Sequence, residues 1–388
     1  MTGDRNSESG DVNRRRYLKL AGGATLAVST TAGCIGKIAT SGKNDSSGGS
    51  SSGGSSSGGS SSGDSAKWKK DLGTDFQFWM VTNEVMKRKS FFPATYFVTE
   101  GSKVGIHLKN TGDEKHDFSI DAFDIGADHE PGTESNITFT ADKVGIHKMY
   151  CDLHPPWMSG QMVVLPKDAG KIPAADSRDL WIVANELDGR KSFFPGLNVV
   201  TEGENVTIHF KNTGDEKHDF SIDAFDIGND HEAGTTSTMN FTADKVGIHK
   251  IYCDLHPPWM SGQLLVLPKD GDWSRIKASD KGSRDLWINL TGVGHRDSMF
   301  PGTWAAKAGE NVTAHLWNND PDGAKHDFSI DAFDVSGDHK KGTKDTASFT
   351  ADTSGIIRMF CDIHTPEMNG QLLVVPKEKG GIEAHGYD

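Results

Sequence analysis

The sequence predicts an all-β protein in which three tandem Greek-key β-sandwich domains follow a disordered N-terminal tether. Three observations support this prediction. One segment of the 388-residue chain recurs three times, apolar residues alternate with polar ones inside each copy, and turn-forming Gly, Asn and Asp separate the short runs. Alternation with a period of two and one apolar face is typical of half-buried strands, and frequent turns over ~100 residues indicate a sandwich. No segment shows a long 3.6-residue period.

The repeat is close to exact between the first two copies. The run KNTGDEKHDFSIDAFDIG occupies 109–126 and returns unchanged at 211–228, while a diverged third copy keeps KHDFSIDAFD at 325–334. Each copy is long enough to own a core, unlike a solenoid repeat of about 20–50 residues. We therefore predict domains at 67–168, 174–271 and 279–378, followed by a tail at 379–388.

Within the copies, the alternation is clearest in the run VTIHFK at 206–211 and in ITFTA at 137–141. Both runs place apolar residues at every second position, so one face of each strand is buried. The turn residues Gly-Glu and Asn-Thr-Gly-Asp then end the strands.

The N-terminus has the order of an export signal. Residues 14–19 read RRRYLK, a weakly apolar segment follows, and residues 31–34 read TAGC. The first run resembles a twin-arginine signal and the last resembles a lipobox, so residues 1–34 are predicted to be a signal whose Cys34 becomes lipid-modified. Residues 35–66, rich in Ser and Gly, are predicted to be a flexible linker. The expected location is the outer face of the cytoplasmic membrane of a prokaryotic cell, bacterial or archaeal, with Cys34 as the membrane anchor.

Charge and cysteine content exclude several classes of protein. The formal net charge of −13 argues against a nucleic-acid partner. Four cysteines, at positions 34, 151, 253 and 361, are too few for a disulfide scaffold. Because the last three fall one to a domain, they cannot form intradomain disulfides and need another role.

Each copy carries the same set of metal-ligand residue types. A His lies 35 residues before a Cys, and the Cys is followed by His at +3 and Met at +7. The candidate ligands are His116, Cys151, His154 and Met158; His218, Cys253, His256 and Met260; and His326, Cys361, His364 and Met368. Two imidazoles, a thiolate and a thioether form the ligand set of a blue-copper site. The sequence predicts one copper per domain and three per chain.

Two other interpretations of these residues are weaker. A buried cysteine that acts only as a small hydrophobe does not explain the fixed positions of His and Met. Structural zinc sites use Cys and His without Met.

The remaining histidines receive simpler interpretations. Alternation with apolar residues predicts that one set faces solvent: His107, His209 and His315. His147 and His249 are replaced by Ile357 in the third copy, which indicates packing. An exposed acidic loop is preferred to a second metal site for the set that follows Asp: His129, His231 and His339.

The three units resemble cupredoxins of the plastocyanin, amicyanin and halocyanin type. The resemblance rests on Phe-Phe-Pro at 91–93, Gly-Glu-Asn-Val at 203–206, Lys-His-Asp-Phe and Cys-x-x-His…Met-x-Gly, and it covers nearly all of 70–378. One departure is the three-residue loop between the second His and the Met, where plastocyanin-like loops have four residues and amicyanin-like loops have two.

The resemblance implies a blue copper protein that carries single electrons between redox protein partners. Multicopper oxidases and copper nitrite reductases also contain this domain, but they hold a second class of copper with His-x-His pairs and a His beside the Cys ligand. The chain has 16 His and no His-x-His, and Tyr150 and Asp152 flank Cys151. We therefore expect no enzyme activity and no small-molecule substrate; the alternative is a copper buffer or delivery protein.

The ligand loops also differ between copies. Trp157 and Trp259 are expected to form an apolar rim around the second His of the first two sites, whereas the third copy has Thr365-Pro366-Glu367. We hypothesise that the third domain differs in reduction potential or docking partner.

Overall fold

The structure is a computed structural model that describes residues 70–294 and 296–387. The signal predicted at 1–34, including Cys34, and the linker predicted at 35–66 lie outside the described residues. The described chain is built from strands and four 3-10 helices. This confirms the predicted all-β class of tandem domains. In the same residues, no helix has the length and apolar character needed to cross a membrane.

Module 1 is the first repeat and contains two packed sheets. Its strands are β1 (Phe76–Val85), β2 (Arg88–Phe92), β3 (Thr95–Thr99), β4 (Lys103–Asn110), β5 (His116–Ile120), β6 (Ile125–His129), β7 (Glu134–Thr140), β8 (Gly145–Tyr150) and β9 (Ser159–Leu165). The sheets have the orders β2-β1-β4-β7 and β3-β9-β8-β5-β6. A 3-10 helix, Asp121–Phe123, joins β5 to β6.

Module 2 repeats this topology. Its strands are β10 (Ser177–Leu187), β11 (Arg190–Phe194), β12 (Leu197–Thr201), β13 (Asn205–Asn212), β14 (His218–Ile222), β15 (Ile227–His231), β16 (Thr236–Thr242), β17 (Gly247–Tyr252) and β18 (Ser261–Leu267). The sheet orders are β11-β10-β13-β16 and β12-β18-β17-β14-β15. The 3-10 helices are Asp223–Phe225 and Trp273–Arg275. In β13, Val206, Ile208 and Phe210 are buried as the alternation predicts.

Module 3 keeps the same first sheet and divides the second. Its strands are β19 (Ser283–Val293), β20 (Arg296–Phe300), β21 (Thr303–Lys307), β22 (Asn311–Asn318), β23 (His326–Asp327), β24 (Asp338–His339), β25 (Lys344–Thr350), β26 (Gly355–Phe360), β27 (Asn369–Val375) and β28 (Ala384–His385), with a 3-10 helix at Asp331–Phe333. The sheet orders are β20-β19-β22-β25, β21-β27-β26-β28 and β23-β24.

The three modules form a closed ring. In each module one glutamine side chain pairs with the backbone of the next module as a strand neighbour would, and the third module pairs with the first. The bonded pairs are Gln161 with Val199 (2.9 and 2.7 Å), Gln263 with Ala305 (2.7 and 3.0 Å) and Gln371 with Phe97 (2.7 and 2.9 Å). At the centre, the Phe-Phe-Pro segments bring together Phe92, Phe194 and Phe300, with ring centroids 5.7–6.1 Å apart.

The segment 379–388 is more than a tail. Ile382 is buried in the core of module 1, and its backbone N–H donates to the Pro166 carbonyl at 3.1 Å. Strand β28 pairs with β26, and the Tyr387 ring lies 4.8 Å from that of Phe76. The contacts of Ile382 with Pro166 and of Tyr387 with Phe76 join residues more than 200 positions apart, so no local pattern could have revealed them. The domain boundaries themselves stay a prediction.

The expectation that His107, His209 and His315 face solvent is wrong for His107, which is buried, whereas the side chains of His209 and His315 stay 24% and 22% exposed. In the parallel pairs β1–β4, β10–β13 and β19–β22, each of these histidines is the register partner of a tryptophan, so the two side chains lie side by side on one face. The stacked pairs have centroid distances of 4.6 Å for Trp79–His107, 3.7 Å for Trp181–His209 and 3.8 Å for Trp287–His315.

The exposed acidic loop expected at His129, His231 and His339 is wrong for the histidines, although the preceding aspartates are exposed. The histidine side chains are buried because each one is the register partner of the upstream candidate ligand: His116, His218 or His326. The packing role of His147 and His249 is confirmed, since their rings lie 5.0 and 5.1 Å from Phe123 and Phe225.

Candidate metal centres

Each candidate site forms where two neighbouring strands end. In module 1, His116 begins β5 and Cys151 follows β8, and these strands pair at Ser119 and Tyr150. The loop from Cys151 to the start of β9 folds back on itself, because the Cys151 N–H donates to the Met158 carbonyl (3.1 Å) and the Met158 N–H to the His154 carbonyl (3.2 Å). The loop therefore places His154 and Met158 around the cysteine.

The two imidazoles and the thiol converge in all three modules. The Nδ1 atoms of the two histidines are 3.1 Å apart in each site. The second histidine Nδ1 lies 3.5, 3.4 and 3.6 Å from Sγ of Cys151, Cys253 and Cys361, respectively. Each Sγ also accepts a backbone N–H, from Asp117, Asp219 or Asp327, at 3.2–3.3 Å. The three donor atoms of a site lie within 4.8 Å of one another.

Burial sets the protonation of these groups. Burial, with a smaller contribution from the neighbouring second histidine, lowers the pKa of His116 and His218 to about 4. Their imidazoles are therefore neutral at pH 7, as metal ligands must be. Burial also raises the pKa of the Cys151 thiol, although backbone N–H groups oppose the shift. A bound cation would favour the thiolate instead.

The donor set fits copper. A trigonal His-His-Cys arrangement with a nearby thioether is typical of blue copper sites. Structural zinc sites instead use Cys and His ligands without a thioether. The three groups, His116-Cys151-His154, His218-Cys253-His256 and His326-Cys361-His364, fit three type 1 copper sites. Met158, Met260 and Met368 are buried beside the cysteines; their role as axial ligands stays a prediction.

Sequence reasoning missed a glutamate that contacts the second histidine and a lysine that contacts this glutamate. In module 1, Glu114 Oε2 lies 2.8 Å from His154 Nε2, and Glu114 Oε1 lies 2.9 Å from Lys89 Nζ. Module 2 repeats the chain with Lys191, Glu216 and His256. The sequence could have indicated Glu114, because it lies two residues before the candidate ligand His116. Lys89 lies on β2, and only the fold brings it close to Glu114.

The ligand-loop tryptophans pack against the next module instead of forming the expected rim. The Trp157 ring lies 5.0 Å from Trp181, and the Trp259 ring lies 4.8 Å from Trp287. The apolar side chains that are exposed beside the sites are those two residues after each Cys: Leu153 (50% exposed), Leu255 (49%) and Ile363 (46%).

We expect the metal-free protein to lose stability as pH falls from 6.5 towards 4. The pKa of His116 and of His218 is about 4 in the fold and about 6.5 for an unperturbed histidine, so the unfolded chain binds more protons in this interval. Each histidine therefore stabilises the fold above pH 6.5. This contribution to the free energy of unfolding, about 3 kcal/mol per histidine, is lost as the pH falls from 6.5 to below 4. Thermal unfolding at several pH values measures this loss. A variant with Gln at both positions should show a flatter profile, and an equally steep profile would contradict the assignment.

These features define a class before any comparison: a three-module β-sandwich copper protein. A family model described as "Cupredoxin-like domain" matches residues 80–164 and 175–266. These two regions are therefore cupredoxin-like domains, and their His-Cys-His groups fit type 1 copper sites. Module 3, outside the matched regions, repeats the first sheet and the His-Cys-His group.

Solved structures with similarity to the chain include a Cu-containing nitrite reductase from Thermus scotoductus SA-01, at 17% identity and TM-score 0.24, covering 77% of this chain and 99% of that one. A copper nitrite reductase from Nitrosomonas europaea matches at 20% identity and TM-score 0.24, covering 49% of this chain and 93% of that one. A blue copper oxidase from the same organism matches at 15% identity and TM-score 0.23, covering 49% and 86%. No curated protein matches the chain.

The expectation that the chain is not an enzyme needs correction. It rested on the absence of His-x-His pairs, yet the comparisons return copper nitrite reductases and multicopper oxidases, which are enzymes that contain this fold. Proteins with this fold therefore include enzymes, and the missing His-x-His motif does not show that this chain lacks enzyme activity. At these TM-scores, the activities of those proteins are not carried over to it.

Proposed function

We propose that this protein carries single electrons between redox protein partners through three type 1 copper sites. The observation that carries the proposal is the threefold occurrence of a buried His-Cys-His group in which one histidine reaches the surface. The side chain of His154 is 21% exposed, whereas the first histidine and the cysteine of the site are buried. The exposed ring gives an electron a short route between the metal and a partner.

The rigidity of the sites supports cycling of one bound copper. Each thiol is held by a backbone N–H and each loop by two backbone hydrogen bonds. A donor set that is already in place needs little rearrangement when the metal changes oxidation state. The exposed Leu153 beside His154 supports close approach by another protein, because an apolar contact loses less hydration than a charged one.

We further propose that the chain acts outside the cytoplasm. It is exported by the twin-arginine route and held on the outer face of the cytoplasmic membrane through a lipid at Cys34. The resemblance of residues 1–34 to an export signal and lipobox supports this, as does the usual extracytoplasmic location of cupredoxin-fold copper proteins. In cells that express the chain, Cys34→Ser should release it from the membrane fraction. Membrane retention of that variant would contradict lipid anchoring.

Copper counting with a visible spectrum tests the electron-transfer proposal first. The expected result is three coppers per chain, an intense thiolate-to-copper band, and repeated bleaching and recovery of this band with a one-electron reductant and oxidant while copper stays bound. Transfer of copper to a chelator that is faster than electron self-exchange would instead favour a copper buffer or delivery protein.

A further inference from the structure

The surroundings of the third site differ from those of the other two at one backbone position. Gly112, Gly214 and Asp320 occupy this position, and each backbone N–H donates to the side-chain oxygen of an Asn two residues earlier, at 3.0, 3.0 and 3.1 Å, respectively. A Cβ placed at Gly112 or Gly214 would lie 3.5 or 3.2 Å from Nε2 of His116 or His218. The side chain at this position therefore points at the first histidine of its site.

Asp320 makes the contact that the glycines cannot make. Its carboxylate Oδ2 lies 3.3 Å from His326 Nε2, and both side chains are almost fully buried. Its other oxygen accepts the backbone N–H groups of Asp322 and Ala324, which fix its orientation. At the equivalent position in module 2, His218 Nε2 is buried and has no hydrogen-bond partner among the described residues.

A second difference lies at the second residue of the strands β2, β11 and β20. Modules 1 and 2 have Lys89 and Lys191 there, each paired with the glutamate that contacts the second histidine. Module 3 has Asp297, whose Oδ2 lies 3.8 Å from His364 Nε2. Asp297, Asp320 and His326 have donor atoms within 4.8 Å of one another. Modules 1 and 2 thus have a Lys–Glu pair with a net charge near zero beside the site, whereas module 3 has two carboxylates there.

Two carboxylates change the balance between the copper oxidation states. Cu(II) carries one more positive charge than Cu(I), so nearby negative charge stabilises Cu(II), and the effect is strong where burial limits screening. A histidine that donates its second N–H to a carboxylate is also a more basic ligand. Both effects favour the oxidised form at the third site.

We propose that the third site has the lowest reduction potential of the three, so that an electron delivered to it passes to site 1 or site 2. In this step Cu(I) at site 3 becomes Cu(II), and Cu(II) at the accepting site becomes Cu(I), with one electron moved and no proton or bond exchanged. The inference rests on the proposed electron-transfer function and adds a direction to it.

Redox titration of the visible band in full-length chains with one remaining site tests this. Cys151→Ser with Cys253→Ser leaves site 3, and Cys253→Ser with Cys361→Ser leaves site 1. At a common applied potential, the oxidised-to-reduced ratio should be at least tenfold higher at site 3, which for one electron is 59 mV. A ratio at site 3 equal to or below that at site 1 would overturn the proposal.

The cause is tested in the chain that retains site 3. Asp320→Asn keeps the shape and an acceptor oxygen but removes the charge, so the ratio should fall by threefold or more, and Asp297→Lys should lower it further. Asp352→Asn is the matched control, because it removes a carboxylate at the opposite end of β26 and should leave the ratio within twofold. A ratio unmoved by Asp320→Asn would overturn the role of this carboxylate.

The same titration of the chain with all three sites covers the case in which a double variant does not fold. About one third of the band should then bleach at a lower potential than the rest, and Asp320→Asn should shift that third only. A single bleaching wave in the wild type would overturn the inference. Because no partner is present, failure to exchange electrons with proteins would refute the proposed function without altering this result.

Discussion

Cys361→Ser should lower the copper content of the chain from three ions to two and remove about one third of the thiolate-to-copper band. A serine hydroxyl stays protonated at neutral pH and is a poor copper ligand, so His326 and His364 alone would bind copper weakly. The side chains are nearly equal in size, and the hydroxyl can still accept the Asp327 N–H that reaches Sγ at 3.2 Å. The fold should therefore survive the change.

Copper analysis and the visible spectrum of the purified chain measure this effect. The other two sites should keep their copper, because each His-Cys-His group belongs to one module. Met368→Leu is the matched control: it keeps the volume and the three stronger donors, so copper should stay bound while the band changes shape. Loss of all copper in the Cys361 variant would show that the sites are not independent.

Arg190→Met should lower the free energy of unfolding by about 3 kcal/mol and loosen copper at the second site. The guanidinium is 1% exposed; it donates to the Trp259 carbonyl at 2.8 and 3.2 Å and to the Phe300 carbonyl of module 3 at 2.7 Å. Burial lowers its pKa to about 9. Methionine fills the space but leaves two buried carbonyls without donors, and the residue after Trp259 is the candidate ligand Met260.

Urea unfolding of the metal-free chain and the copper dissociation rate of site 2 report the two effects. Arg275→Met is the matched control, because it removes the same charge from a side chain that is 36% exposed and paired with Glu202. An exposed pair of this kind contributes less than about 1 kcal/mol. Equal unfolding midpoints for the two variants would contradict the structural role given to Arg190.

Much of the candidate site was readable from the chain. The spacing of His116, Cys151 and His154 recurs in every copy, and a strand end followed by a short loop needs only local geometry to bring a Cys and a His together. The period of two likewise identified β13 and its buried face. Local patterns carry this information because burial alternates along a strand.

Other expectations failed where a distant strand supplied the neighbour. His107 alternates with apolar residues and was expected to be exposed, but β1 pairs in parallel with β4 and covers it with Trp79. The position of His129 opposite His116 depends in the same way on register between strands. A pattern within one strand contains no information about its partner.

The sequence by itself therefore determined the all-β class, the threefold repeat and the His-Cys-His group of each site. Only the tertiary structure decided that the modules close into a ring, that Ile382 completes the core of module 1, and that Asp320 faces His326 where the other modules have glycine. The physical reason is that donor spacing and alternation are local properties of the chain. The charge and packing around a buried metal depend instead on residues that folding brings together from far along it.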